Sequence, residues 1–132
     1  MRVQRVLFLA SALSCCYTSM LMAEDPVKVD PKHYTVLADN AQVRVLKVHY
    51  GPHEKSVMHS HPATVAVFLN TGNGRFTFPD GKTQDLNFKL GDAQYSTATT
   101  HLPENTGDQA FDVVVIELKG QPAKSTKVAT PK

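Results

Sequence analysis

The sequence predicts an all-β domain, a sandwich or barrel built from short strands. Three observations carry that expectation. Apolar-rich runs recur along the chain, a Gly, Pro, Asn or Asp break separates each from the next, and sustained helical periodicity is absent after residue 23. Residues 33–37 form a first run, ended by Ala38-Asp39-Asn40. Residues 41–50 carry Val43, Val45 and Val48 and stop at Gly51-Pro52. Residues 56–61 stop at Pro62. Residues 64–69 are almost continuously apolar and lead into a turn cluster, Asn70-Thr71-Gly72-Asn73-Gly74. Residues 75–78 alternate before Pro79-Asp80-Gly81, and residues 82–88 alternate more weakly before Gly91-Asp92. Residues 93–97 and 111–118 complete the set.

The 132 residues provide for one domain, with ordinary globular proportions of 42% hydrophobic and 20% charged residues. Arg2 and Arg5 account for the formal charge of +2: without them 12 basic residues balance 12 acidic ones. A balanced domain with no Trp and no basic run has no footprint for nucleic-acid binding. Arg2 and Arg5 precede an uncharged apolar stretch, residues 6–23, that ends in Ala23 before Glu24-Asp25-Pro26. That layout predicts a secretory signal peptide over residues 1–23 and hence a periplasmic or secreted protein, free of the membrane after cleavage. Retention as a membrane anchor and lipidation at Cys15 are the alternatives. Cys15 and Cys16 both lie in this leader, so the remaining chain has no disulfide, thiolate ligand or cysteine nucleophile. Residues 24–32 read as an irregular arm, 33–119 as the folded domain and 120–132 as a disordered tail.

Histidines provide the chemical lead. His33, His49 and His53 are scattered and read as ordinary surface or hydrogen-bonded residues. His59 and His61 form His-Ser-His within an expected strand. Residues two apart on a strand share a face, so two imidazoles, and Val57 with them, point into one volume. A metal site needs a further ligand from elsewhere. His101 is the candidate, although spacing alone does not place it beside His59.

The combination resembles the cupin superfamily, in particular small single-domain bacterial cupins of the conserved-barrel type. Gly51, His59-Ser-His61-Pro62 and Gly72 fall in the order of the first cupin motif; Gly91-Asp92, His101 and Asn105 follow the second; residues 75–81 resemble the hairpin between them. The similarity spans about residues 41–119. It implies a jelly-roll barrel (a double-stranded β-helix), often a homodimer, with a metal held by His59, His61 and His101 and with Asn105 supporting the histidine-bearing loop. The chain departs from the family at two places. Val65 occupies the position of the carboxylate ligand and cannot coordinate, and neighbouring Thr64 is no equivalent. Within residues 96–100 the expected Pro and Gly are missing and the spacing to His101 is one residue shorter.

Three neutral imidazoles leave a divalent ion with its full +2 charge, which favours an anionic co-ligand. They suit a transition metal, iron first and zinc, nickel, manganese or copper as alternatives, over magnesium or calcium. The resulting expectation is an oxidoreductase, a metal-dependent dioxygenase acting on a small anionic molecule; the alternative is a cupin that binds a small molecule without turnover. Val65, Val67 and Tyr95 are the expected pocket residues. Catalytic residues beyond the ligands are not identified: no serine nucleophile motif, phosphate loop or paired-carboxylate arrangement is present.

Overall fold

The computed structural model describes residues 24–120. The leader with Cys15, its cleavage point and the tail from residue 121 onward lie outside the described residues. The element order is α1 (Pro26–Val29), β1 (Tyr34–Asp39), β2 (Val43–Tyr50), β3 (His59–His61), β4 (Thr64–Phe68), β5 (Gly72–Thr77), β6 (Thr83–Phe88), β7 (Ala93–Ser96), β8 (Thr99–Asn105) and β9 (Phe111–Leu118). One sheet runs β1-β2-β9-β4-β7 and the other β3-β8-β5-β6. Every named strand pair is antiparallel. No helix among the described residues is long and apolar enough to cross a membrane.

The longest ladder joins β2 to β9 in unbroken register, from Val43 opposite Leu118 to Tyr50 opposite Phe111. Alternation then sends Leu46, Val48 and Tyr50 from β2, and Phe111 and Val113 from β9, into the interior, where Tyr34, Phe68 and Phe88 complete the core. Phe68 stacks on Phe88 with ring centroids 4.1 Å apart, and Phe88 meets Phe111 edge-on at 4.9 Å.

Four local expectations change. The arm contains a helical turn: Pro26 occupies a first-turn position where no backbone N–H is needed, and the Asp25 carboxylate caps the Val27 N–H at 2.9 Å. Gly72 and Gly74 belong to β5 rather than to the preceding turn. A Cβ on Gly72 would stand 2.9 Å from the Phe88 ring, so glycine is present there for close approach. Residues 99–105 form a strand although Pro103 lies in their middle. The Pro103 carbonyl accepts the Ser56 N–H at 2.9 Å, and its nitrogen edge faces the same side, where regular β3 pairing has not begun. The missing donor therefore leaves the β5 ladder intact. Val57 also precedes β3, and its side chain is exposed rather than aligned with the histidines.

Because Phe88 is pinned by Phe68 and Phe111, it cannot retreat from a new methyl group. Gly72→Ala is expected to destabilise the domain by roughly 1–3 kcal/mol, read as a lower urea midpoint with an unchanged m-value.

Candidate metal centre

Strand periodicity and register assemble the site. His59 and His61 are alternate residues of β3, and His101 on β8 is the direct partner of His59. All three side chains therefore project to one face. Their ring centroids form a nearly equilateral triangle of 4.9, 5.2 and 5.4 Å, and each pair of rings is within 10° of perpendicular, at 86°, 86° and 80°. The nitrogens that face inward all lie within 4.8 Å of one another. The shorter spacing before His101 does not displace it, because the β3–β8 register fixes its place.

Hydrogen bonds assign the tautomers. The His59 Nδ1–H donates to the Val57 carbonyl at 2.8 Å, and the His61 Nδ1–H donates to Glu117 Oε1 at 2.7 Å. The Nε2 atoms of the two rings face each other 3.1 Å apart. Both nitrogens of His101 are buried with no hydrogen-bond partner, while its ring packs on Phe76 at 4.2 Å. Burial, then the charge of neighbouring His61, pushes His59 down to about 4; the same causes, with His59 added, push His101 down to about 3. Converging unprotonated imidazoles repel one another unless a cation lies among them. The donor set fits a divalent transition metal, with three protein nitrogens and room for further ligands.

Glu117 holds His61 in orientation. Fully inside the barrel at 2% exposed, it also accepts from Arg44 Nε at 2.5 Å, and Arg44 Nη1 donates to Asp25 at 2.6 Å. Burial alone would raise the Glu117 carboxyl, but the hydrogen bonds from His61 and Arg44 outweigh it and hold the group below its ordinary range. A carboxylate behind a histidine ligand increases the ring's basicity and fixes its direction.

The Tyr34 hydroxyl also lies 3.1 Å from His59 Nε2, and it is 2.9 Å from the Tyr50 hydroxyl. Ser56 hydrogen-bonds Tyr50 and, at 2.5 Å, Asp30. Asp30 accepts from His33 Nδ1 at 2.7 Å, and His33 Nε2 meets Glu54 at 3.2 Å. Tyr34, Tyr50, Glu117 and this cluster were not anticipated as site residues. Only Glu117 left a legible signal, as the carboxylate in line with Phe111, Val113 and Val115.

His61 and His101 open onto a cavity of about 480 Å³. Of the expected pocket residues, Tyr95 lines it while 59% exposed. Val65 and Val67 do not; the neighbouring Thr64, Ala66 and Phe68 are the β4 residues that face it. An unbroken apolar run conceals which alternate set points inward, and the register of β4 on β9 selects the even-numbered residues. Neither Val65 nor inward-facing Ala66 supplies a carboxylate. Asn105 is fully buried, donates to the carbonyls of Gly51 and Gln109 at 2.8 Å each and accepts the Gly107 N–H, so it braces loops around the barrel.

No protein-family model and no curated protein sequence matches the chain. Solved structures do. A cupin domain from Bordetella pertussis Tohama I is 27% identical, with 66% of this chain and 92% of that one covered and a TM-score of 0.61. A protein with a double-stranded β-helix domain from Klebsiella pneumoniae is 21% identical over 67% of this chain and 76% of that one (TM-score 0.55), and a cupin superfamily protein from Desulfitobacterium hafniense is 20% identical over 66% and 76% (TM-score 0.52). Fold and topology thus define a cupin-type double-stranded β-helix. In fold the chain is similar to proteins of the cupin superfamily.

The titration of the site carries a stability consequence. Without metal, the unfolded chain takes up protons near the ordinary histidine value of 6.5, whereas folded His59 and His101 refuse them until about 4 and 3. Their contribution is therefore complete above pH 6.5 and is lost as pH falls, by about 2 kcal/mol per histidine on reaching about pH 5. Urea midpoints of metal-free protein at about pH 7.5 and about pH 5 are expected to show this decline, and His101→Asn to remove roughly half of it. A midpoint constant across that window would contradict the assignment of neutral, buried rings.

Proposed function

We propose that the protein is a secreted or periplasmic metallo-cupin that holds one divalent transition metal, iron in the leading case, through His59, His61 and His101, and that it is a dioxygenase. The observation that carries the metal assignment is the convergence of three buried imidazoles, their facing nitrogens within 4.8 Å of one another, with both nitrogens of His101 lacking any hydrogen-bond partner. When bound, iron in a site of this donor type supplies a Lewis acid with open positions for substrate and dioxygen.

The protein's own residues define what enters. No Lys or Arg is among the described residues that line the cavity, whose walls are mainly apolar with one carboxylate, Glu104. The anionic group of a substrate therefore has no guanidinium or ammonium to meet and belongs at the histidine end, where the cation's charge is not neutralised by a protein carboxylate. The remainder of the molecule packs against Phe76, Leu86 and Phe88. A substrate combining an enolate-type or carboxylate oxygen donor with an apolar body satisfies both ends. Glu117 and the Val57 carbonyl hold two imidazoles in place. Adding both atoms of dioxygen to such a substrate requires no outside reductant.

The open edge of β1 supports a homodimer. β1 is terminal in its sheet, and Val36 and Leu37 on it are exposed at 41% and 56%. Pairing two such edges would cover them.

Elemental analysis of natively purified protein tests the metal assignment. About one transition-metal ion per chain is expected, falling close to zero in His61→Ala. Iron-loaded protein is then expected to consume oxygen with a substrate such as a β-diketone. Saturable thermal stabilisation by that molecule with no oxygen uptake would instead mark a binding protein without turnover.

A further inference from the structure

We propose that the hydroxyls of Thr64, Ser96 and Thr99 form an oxyanion-binding patch beside His61, and that the molecule entering the cavity is a carboxylate with an apolar body. This deepens the three-histidine reading above and rests on it. Strand pairing places the patch. Thr99 is the direct β8 partner of His61 and alternates with His101, so it faces the same way as both rings. Thr64 pairs on one side with Glu117, whose carboxylate holds the His61 ring at 2.7 Å, and on the other with Ser96. Direct cross-strand partners have Cβ atoms about 4.5–5.5 Å apart, which gathers the three residues at the His61 end of the interior. All three line the cavity; Thr64 is buried, and Ser96 and Thr99 are half-buried.

Two short corners create this arrangement. Pro62-Ala63 carries the chain from His61 in one sheet to Thr64 in the other, and Thr97-Ala98 carries it back from Ser96 to Thr99. The second corner is the stretch that departs from the cupin pattern, with Ser and Thr in place of Pro and Gly. On the opposite face of β3 and β8, the Ser60 and Thr100 hydroxyls bond to each other at 2.5 Å. Among the described residues, the hydroxyls of Thr64, Ser96 and Thr99 have no such partner, which leaves their O–H groups for a ligand. A carboxylate has two oxygens: a cation at the histidines suits one, and the other needs donors, which the hydroxyls beside His61 provide. The neighbouring acids are already engaged. Glu117 is held by Arg44 and His61, and Glu104 stands opposite Arg75 across the β5–β8 ladder. A chelating dicarbonyl would turn both oxygens to the cation and leave the three hydroxyls without an acceptor.

The test is titration of cobalt(II)-loaded protein with 3-phenylpropionate and with pyridine, read from the visible cobalt spectrum. Pyridine reaches the metal through one nitrogen and has no second polar atom for the hydroxyls. Thr64→Val/Thr99→Val is expected to weaken 3-phenylpropionate binding roughly tenfold or more, with pyridine affinity within about twofold of wild type and about one cobalt retained per chain. Thr64→Ser/Thr99→Ser is expected to keep carboxylate affinity close to wild type. Ser96→Ala is expected to weaken it roughly threefold, and serves as the test if the valine variant does not fold. Carboxylate affinity unchanged by these substitutions, or an equal loss of pyridine affinity, overturns the hydroxyl patch and leaves the three-histidine site standing. Wild type that binds cobalt and pyridine but not 3-phenylpropionate overturns the carboxylate assignment alone. Wild type that takes up no cobalt overturns both.

Discussion

His59 and His101 are far apart in sequence, yet the antiparallel register of β3 on β8 makes them direct partners. The site depends on this pairing. Two alternate residues on one strand and the partner of one of them on the next must share a face, whatever the loops between them do. A slip of a single residue would turn His101 to the opposite face and leave two imidazoles without a third. Lys55 bridging to Glu104, and the backbone bonds that Ser56 and Asn105 make to Pro103 and Glu54, hold that register beyond the short β3 strand.

Around these rings the interior divides into two kinds of wall. Toward the cavity, aromatic and aliphatic side chains make up most of the wall. Behind the rings lie two polar chains, one through Glu117, Arg44 and Asp25, the other through Tyr50, Ser56, Asp30 and His33. Their buried charged groups meet partners at short range, as buried charge requires. One chain meets His61 and the other meets His59, so ring orientation and hydroxyl position are set by structure present before any metal or substrate arrives.

The fold class was legible in the sequence because turn residues punctuate short apolar runs, and the three histidines were legible because His-Ser-His and the later His lie within a recognisable cupin pattern. What escaped has specific causes. Pro103 made residues 99–105 look unlike a strand. In residues 64–69 and 43–48 apolar side chains occupy both alternate sets, so the inward face was decided only by pairing; Val65 and Val67 were chosen where Ala66 and Phe68 are inside. Arg44 and Glu117, partners across β2 and β9, each looked like a surface charge. Tyr34 and Tyr50 resembled packing residues, since nothing local shows that their hydroxyls meet each other beside His59.

The helical turn at the start of the described residues bears on where the working unit begins. Asp25 caps α1 and also grips Arg44, while Glu24 accepts the Ser60 N–H from between the two β3 histidines. A boundary drawn at residue 33, where the barrel seems to start, would amputate these struts and leave the Glu117–Arg44 pair without its anchor. The preamble to the first strand is part of the machine, and a shortened version would keep the staves while loosening the hoop around its mouth.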